Sequence, residues 1–374
     1  MYIRPHLQNL PPYTPIEPFE VLSQRLGRAP KDIIKMDANE NPYGPSPAAI
    51  QALARLEYAH IYPDPESRAL RCALAEFTGA PVEAILAGSG ADELIDLLLR
   101  VILEPGDRVL NLPPTFGMYA FDCGVNAGQV IDVPRHADFS LDIPAILQSV
   151  EQYRPKILFL TTPNNPDGSF PTAAEIDALL DLDLLVVIDE AYIEFTAQGG
   201  RLGEKLSRIR QVAGRDNLVV LRTFSKWAGL AGLRVGYGAF PGWLMPTLWK
   251  VKQPYNVNVA ASAAAIASIS DSAYLAENVA HLRNERQRLY HGLRQVAYLK
   301  PFPSQANFIL CQVTGDLDKG LTAFDLKSRL TAQGILVRYY NTPLLKDYIR
   351  ISIGLPEQND ALLAVLQGII KEVA

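Results

Sequence analysis

Four stretches of this chain place ligand-seeking side chains where an apolar run stops. In "LVVLRTFSKW", residues 218–227, Lys226 follows three residues after Thr223. An amine held at a buried strand end loses solvation, which pushes it toward the neutral, nucleophilic form. Ser225 beside it and Arg234 eight residues on add a hydroxyl and a forked cation, a donor set that suits a phosphate. In "LLVVIDEAY", residues 184–192, five apolar residues lead to Asp189. A carboxylate there is costly unless a cation, several donors or a ligand meets it. A structural ion pair would also satisfy it; Tyr192 in the same short turn favours a ligand. In "KILFLTTPNNPDGSF", residues 156–170, a strand runs straight into Pro163-Asn164-Asn165-Pro166. The prolines restrict the turn and can aim an asparagine amide. In "ILAGSGADELIDLLLRVIL", residues 85–103, a strand, a glycine turn and a helix start follow one another. Unpaired amides and the helix dipole make such a start an anion site, and Asp92 could equally cap it.

One ligand meets all these demands at once. It carries a phosphate, a group that condenses with an amine, and a basic ring nitrogen that calls for a carboxylate. Pyridoxal 5'-phosphate has all three. A nicotinamide cofactor fits less well, since Gly88 and Gly90 begin the pattern GxGxxG but position 93 is Glu.

A frame must bring these strand ends together. Seven apolar runs alternate with amphipathic segments: 84–87, 108–112, 129–133, 156–161, 184–188, 217–223 and 234–240. Continuous rather than alternating apolar character predicts strands covered on both faces. The class is therefore α/β, with a mainly parallel seven-stranded sheet between helices and ligands beyond the carboxyl ends of its strands. The short link between the last two runs predicts one antiparallel neighbour. Near the start, "SPAAIQAL" offers Ser46 as cap and Pro47 as first residue of a helix. Beyond residue 270, a long charged helix and the runs "ANFILCQV", "ILVRYY" and "YIRISIG" predict a smaller α+β domain. The expected division is an N-terminal arm over 1–40 joining the small domain, a large domain over 41–270 and the small domain over 271–374.

"SKWAGLAGLRVGY" resembles the lysine motif of the class I/II aminotransferases, and "PNNP", "DEAY" and "GSGADE" stand in that family's order and approximate spacing. "DANENPYGPSP", "YPDPESRALRCALAEFTG", "PPTFGMY" and "IRISIG" narrow the resemblance to the branch that acts on histidinol phosphate. It spans roughly residues 33–355, with one departure: Asp167 stands where the family more often has Thr.

The resemblance implies fold type I of the pyridoxal-phosphate enzymes. It implies that Lys226 bonds the cofactor, that Asp189 keeps its ring nitrogen protonated, and that Asn165 and Tyr192 bond its phenolic oxygen. Ser225, Arg234 and the amides near Gly90, Ala91 and Asp92 would hold the phosphate, and Phe116 would stack on the ring. Arg350 would clamp the α-carboxylate of the amino donor. Arg338 is a candidate for the substrate phosphate or a second carboxylate. Tyr13, Asn41 and Tyr43 join the substrate wall. Tyr62 would reach the cofactor of a neighbouring subunit, which implies a homodimer with shared sites. The implied reaction is ping-pong amino transfer between glutamate/2-oxoglutarate and L-histidinol phosphate/imidazole-acetol phosphate. An aromatic amino acid aminotransferase and a threonine-phosphate decarboxylase of the same fold are the alternatives. A catalytically inactive effector-binding module would not need Lys226, Asp189 and Arg350 together.

Composition excludes other classes. A formal charge of -5 and the absence of basic clusters argue against nucleic acid or anionic membrane as a partner. Cys72, Cys123 and Cys311 lack CxxC spacing and read as reduced thiols, and the five histidines lack metal-ligand spacing. The proline-bearing N-terminus has no apolar core for a signal peptide, and "VNVAASAAAIASI" is too short and polar to span a bilayer. A cytoplasmic enzyme is expected.

Overall fold

The computed structural model describes residues 2–12, 17–198, 200–314 and 320–373. Its strands in chain order are β1 (Ile34–Met36), β2 (Ile85–Gly88), β3 (Arg108–Asn111), β4 (Gln129–Asp132), β5 (Ile157–Thr161), β6 (Leu185–Asp189), β7 (Leu218–Thr223) and β8 (Gly236–Ala239), followed by β9 (Leu299–Pro301), β10 (Phe308–Val313), β11 (Ile335–Tyr339) and β12 (Tyr348–Ser352).

Strands β2 to β8 form one seven-stranded sheet in the order β2-β8-β7-β6-β5-β3-β4. Every pairing from β7 through β6, β5 and β3 to β4 is parallel, while β8 runs antiparallel to both β7 and β2. The apolar runs are continuous because successive residues serve two different cores. Val186, Ile188 and Val220 pack into one hydrophobic cluster, and Val187, Val219 and Leu221 into the other. Alternate side chains leave a strand on opposite faces, so a sheet covered by helices on both sides needs apolar residues at every position. Each fully buried Val, Leu or Ile contributes roughly 1.5–3 kcal/mol. The edge strand β4 leaves all four of its residues at least partly open, and Arg108 at the start of β3 is exposed.

The remaining five strands form a second sheet in the order β1-β11-β12-β10-β9. Here β1, from the N-terminal segment, lies parallel to β11, and the other pairings are antiparallel. Register places Arg350 of β12 beside Arg338 of β11 and Leu310 of β10.

The local signals act as their chemistry dictates. Ser46 Oγ accepts from the Ala49 amide at 3.2 Å and Pro47 is the first residue of the helix Pro47–Ala54. The sequence placed Arg234 and Val235 in the last strand of the large sheet. They precede it instead: Arg234 takes a left-handed conformation (φ 52°) after a 3-10 turn over Ala231–Leu233. That turn swings its guanidinium back toward the glycine turn after β2. The helices Val259–Ser270 and Ser272–Leu293 meet at a bend of 80°. Among the described residues no single helix is long and apolar enough to cross a membrane.

Candidate active site

The parallel register sets the site. Thr161 pairs with Asp189 at the ends of β5 and β6, and Asp189 pairs with Leu221 of β7, so three strand ends and their loops open onto one edge. Two adjoining cavities lie there. One, of about 320 Å³, is walled by Ala91, Asp92, Thr161, Asp189, Ser225 and Arg234. The other, of about 590 Å³, is walled by Pro113 to Gly117, Arg338, Tyr340 and Arg350. Ala38, Phe116, Asn165, Tyr192 and Lys226 face both.

Lys226 is part-buried and its Nζ donates to Ala38 O at 3.1 Å, with no carboxylate in contact. Burial lowers its pKa to about 8; Arg350 and Arg234 push the same way, against Glu40 and Asp92. Asp189 lies 4% exposed at the end of β6. Burial raises its pKa to about 6, opposed by donation from the Tyr119 hydroxyl at 2.6 Å and the Ala191 amide at 3.0 Å. Burial likewise raises Tyr192 to about 12. Its hydroxyl accepts from Asn39 Nδ2 at 3.0 Å, which leaves its own proton to give.

At the far end of the smaller cavity, Gly90 caps the helix Ala91–Ile102. Arg234 donates to Asp92 at 2.7 Å and lies 3.4 Å from Ser225 Oγ, which also meets Thr223 Oγ1 at 3.0 Å. Asp92 therefore pairs with Arg234 and does not cap the helix, while Glu93 reaches back past the glycine turn to accept from the Ser89 amide at 2.5 Å. Gly90 has φ +81°, and a Cβ there would stand 2.5 Å from an Arg234 terminal nitrogen. Gly90→Ala is expected to cost about 1–3 kcal/mol in backbone strain, since φ 81° with ψ 171° is a region only glycine enters readily, and to weaken binding of the anionic cofactor by displacing Arg234. Unfolding in denaturant and a cofactor titration check both effects.

In the larger cavity, Arg350 donates to Asn165 Oδ1 at 2.5 Å and to Asp37 O at 2.8 Å. Its buried Nε makes no protein hydrogen bond. The guanidinium lies over Phe308 and Tyr340, 5.2 and 5.8 Å from their centroids. Arg338, on the neighbouring strand, lies 5.5 Å from the Tyr340 centroid. Two neighbouring guanidiniums offer forked donors of the kind that suit phosphate or carboxylate groups.

Some expected residues do not reach the cavities. Asn41 spends its amide on Trp227 O at 2.9 Å and the Tyr43 amide at 3.0 Å, so it braces its own loop. Asn39, two residues earlier, takes the place facing Tyr192 because its φ of 56° turns the chain. Tyr43 packs near His281, with centroids 6.2 Å apart. Tyr62 is 80% exposed and stacks on Tyr255 at 4.8 Å, away from this chain's cavities. Tyr13 lies outside the described residues. Asp167 is buried, accepting from Asn164 Nδ2 and from the Ser169 amide at 2.7 Å, so the carboxylate is absorbed inside the turn.

Sequence reasoning passed over Asn39, Thr161, Thr223 and Tyr119. Each stands in a stretch already singled out. Asn39 belongs to "DANENP", Thr161 and Thr223 end strands, and Tyr119 closes "PPTFGMY".

The chain belongs to the aminotransferase class I and II family, whose profile matches residues 31–366. Within that family it is 54% identical to histidinol-phosphate aminotransferase, chloroplastic, of Nicotiana plumbaginifolia over 98% of this chain and 86% of that one. It is 48% identical to histidinol-phosphate aminotransferase of Roseiflexus castenholzii over 100% of this chain and 98% of that one. The crystal structure of histidinol-phosphate aminotransferase from Sinorhizobium meliloti, in complex with pyridoxal-5'-phosphate, superposes with a TM-score of 0.88 at 28% identity, covering 100% of this chain and 98% of that one.

The residues present fit that cofactor. The smaller cavity joins an amine, a buried carboxylate with no cation in contact, and a helix start where Gly90 leaves room for Arg234. Among the described residues no group of three His, Cys, Asp or Glu side chains could hold a metal ion, and all three cysteines are free thiols.

Proposed function

We propose that this chain exchanges an amino group between glutamate/2-oxoglutarate and L-histidinol phosphate/imidazole-acetol phosphate, using pyridoxal 5'-phosphate. The observation that carries this reading is the position of Lys226 at the junction of the two cavities, between Asp189 on one side and Arg350 on the other. Bound pyridoxal phosphate supplies an aldehyde for the amine and a protonated ring that accepts electron density.

This chain's residues do the rest. Ser225, Arg234 and the amides at Gly90, Ala91 and Asp92 hold the phosphate. Asp189 faces the ring nitrogen and favours its protonated form. Tyr192 and Asn165 give hydrogen bonds to the phenolic oxygen, and Phe116 covers the ring. Arg350 clamps the donor α-carboxylate, and Arg338 takes the substrate phosphate or the second carboxylate of glutamate. Lys226, with an amine already inclined to neutrality, takes the proton from the substrate Cα and returns it at C4′ of the cofactor. The Pro113–Gly117 loop walls the larger cavity beside that transfer.

The exposed Tyr62 supports a homodimer in which it reaches the partner's cofactor phosphate. A division into an arm over 1–40, a large domain over 41–270 and a small domain over 271–374 is part of the same reading, supported by β1 joining the second sheet. So is a cytoplasmic location.

A kinetic panel of histidinol phosphate, phenylalanine, tyrosine and phosphothreonine tests the substrate. Histidinol phosphate should give the highest kcat/KM, because two buried-edge guanidiniums favour its phosphate over a neutral side chain. A higher value for phenylalanine would remove histidinol phosphate as the substrate, and release of carbon dioxide from phosphothreonine would replace transamination with decarboxylation.

A further inference from the structure

We propose that Tyr119 is a positioning residue of this reaction: its hydroxyl aims Asp189 and holds it as a carboxylate, and Thr161 holds that hydroxyl in turn. The inference rests on Asp189 being the partner of the cofactor's ring nitrogen.

The geometry leaves Tyr119 little freedom. Its side chain is fully buried. The ring stacks on Phe159 at 4.5 Å and 6°, and meets Phe116 edge-on at 5.5 Å and 83°. Those two contacts fix the ring plane and so the direction of the hydroxyl. The hydroxyl lies 2.6 Å from Asp189 Oδ2 and 2.8 Å from Thr161 Oγ1. Beyond Thr161, the Thr115 hydroxyl lies at 3.2 Å and itself donates to Asn164 Oδ1 at 2.9 Å. Asn164 is held there by its own amide nitrogen, which donates to Pro114 O at 3.0 Å.

A count of protons sets the direction of donation. Tyr119, Thr161 and Thr115 carry one hydroxyl proton each. An ionised Asp189 and Asn164 Oδ1 can only accept, so Tyr119 gives its proton to the first and Thr115 gives its proton to the second. Thr161 then has one proton for two neighbours. It serves the nearer one, Tyr119, and the longest contact, at 3.2 Å, is the one left without a proton. Tyr119 is thereby both donor to Asp189 and acceptor from Thr161, and each bond polarises the next.

The chemical consequence concerns where a proton rests. A hydrogen bond to a charged acceptor is about twice as strong as one to its neutral form. Tyr119 therefore makes Asp189 a weaker base than burial alone would leave it. A weaker base leaves the shared proton on the ring nitrogen, where the electron-accepting form of the ring needs it. The Ala191 amide, at 3.0 Å from Asp189 Oδ1, acts in the same direction from the backbone; the remaining groups facing the carboxylate do not. Asp92 at the helix start and the neighbouring Glu190 are acidic, the Tyr192 hydroxyl is turned to Asn39, and the attraction of Lys226 is lost once its amine is consumed.

Tyr119→Phe tests the proposal, since the ring keeps both aromatic contacts while the donor is lost. On the full chain freed of cofactor, carbon-13 NMR of labelled aspartate follows the carboxyl titration of Asp189. The midpoint should rise by about one pH unit, a tenfold change in acidity constant. Thr161→Val should move it the same way by less. On the loaded enzyme, nitrogen-15 NMR of labelled pyridoxal phosphate should show a smaller protonated fraction at the ring nitrogen, and kcat should fall with the glutamate KM unchanged. An unmoved Asp189 midpoint in Tyr119→Phe overturns the proposal, whatever the loaded enzyme does. A moved midpoint in a chain that does not bind pyridoxal phosphate would instead overturn the functional reading while leaving the hydrogen-bond role intact.

Discussion

Lys226→Ala is expected to lower kcat at least roughly 10⁴-fold, the upper end of what one positioned proton-transfer group contributes. The side chain has two tasks here, and alanine performs neither. It cannot bond the cofactor aldehyde, and it cannot carry the proton between the substrate Cα and C4′. No neighbour substitutes: among the described residues facing both cavities, Lys226 is the only amine. The fold should survive, because Lys226 contributes a single backbone hydrogen bond to Ala38 and the side chain borders open space. Steady-state assays with the glutamate pair, together with borohydride treatment and peptide mapping, check the result. Turnover retained by the alanine variant, or a cofactor fixed by borohydride at another residue, would refute the assignment.

Asp189→Asn should move activity and stability in opposite directions. An amide is a poor partner for a protonated ring nitrogen, and loss of one preorganised charge at a reacting group costs on the order of 10²- to 10³-fold in kcat. Stability of the cofactor-free chain should rise. The folded-state pKa of about 6 stands above the ordinary 3.8. Between those values the folded chain holds a proton that the unfolded chain has released, so stability falls as pH climbs through that window and the whole penalty is present at pH 7. A shift of about two pH units corresponds to roughly 3 kcal/mol at most. Asparagine carries no charge and escapes it. Denaturant unfolding of the two cofactor-free proteins should show the variant ahead at pH 7, with the gap closing toward pH 4. A variant less stable at pH 7 would contradict the assigned cost of burying the carboxylate.

Asn41 and Tyr43 differ from Lys226 and Asp189 by position in the fold. Asn41 binds only its own loop and Trp227 O, so changing it acts on stability before it acts on substrate. Asn39 bonds the Tyr192 hydroxyl, and Ser352 of β12 donates to its side-chain oxygen at 2.9 Å. It ties the N-terminal loop to both sheets.

What could be read along the chain was local. A β-strand that ends in Asp189, a proline-framed Asn165, a glycine turn before a helix and Lys226 three residues past a strand end are each contiguous patterns, and their physics needs only the neighbouring residues. The parallel sheet followed from the same runs, since strands buried on both faces must be apolar throughout. What could not be read were choices made between distant segments. Tyr119 and Asp189 are 70 residues apart, and Arg350 and Asn165 are 185 apart. Their meeting depends on strand order and helix packing, to which no short stretch of residues is sensitive. The direction of a side chain in a loop was equally hidden. Asn39 and Asn41 have the same chemistry and nearly the same neighbours, and a left-handed backbone at the first sends one amide to Tyr192 and the other to Trp227. Residue types along the chain thus define which chemistry is available. Long-range register and backbone handedness select which copies of that chemistry face the cavity, because a side chain acts only where the packed backbone points it.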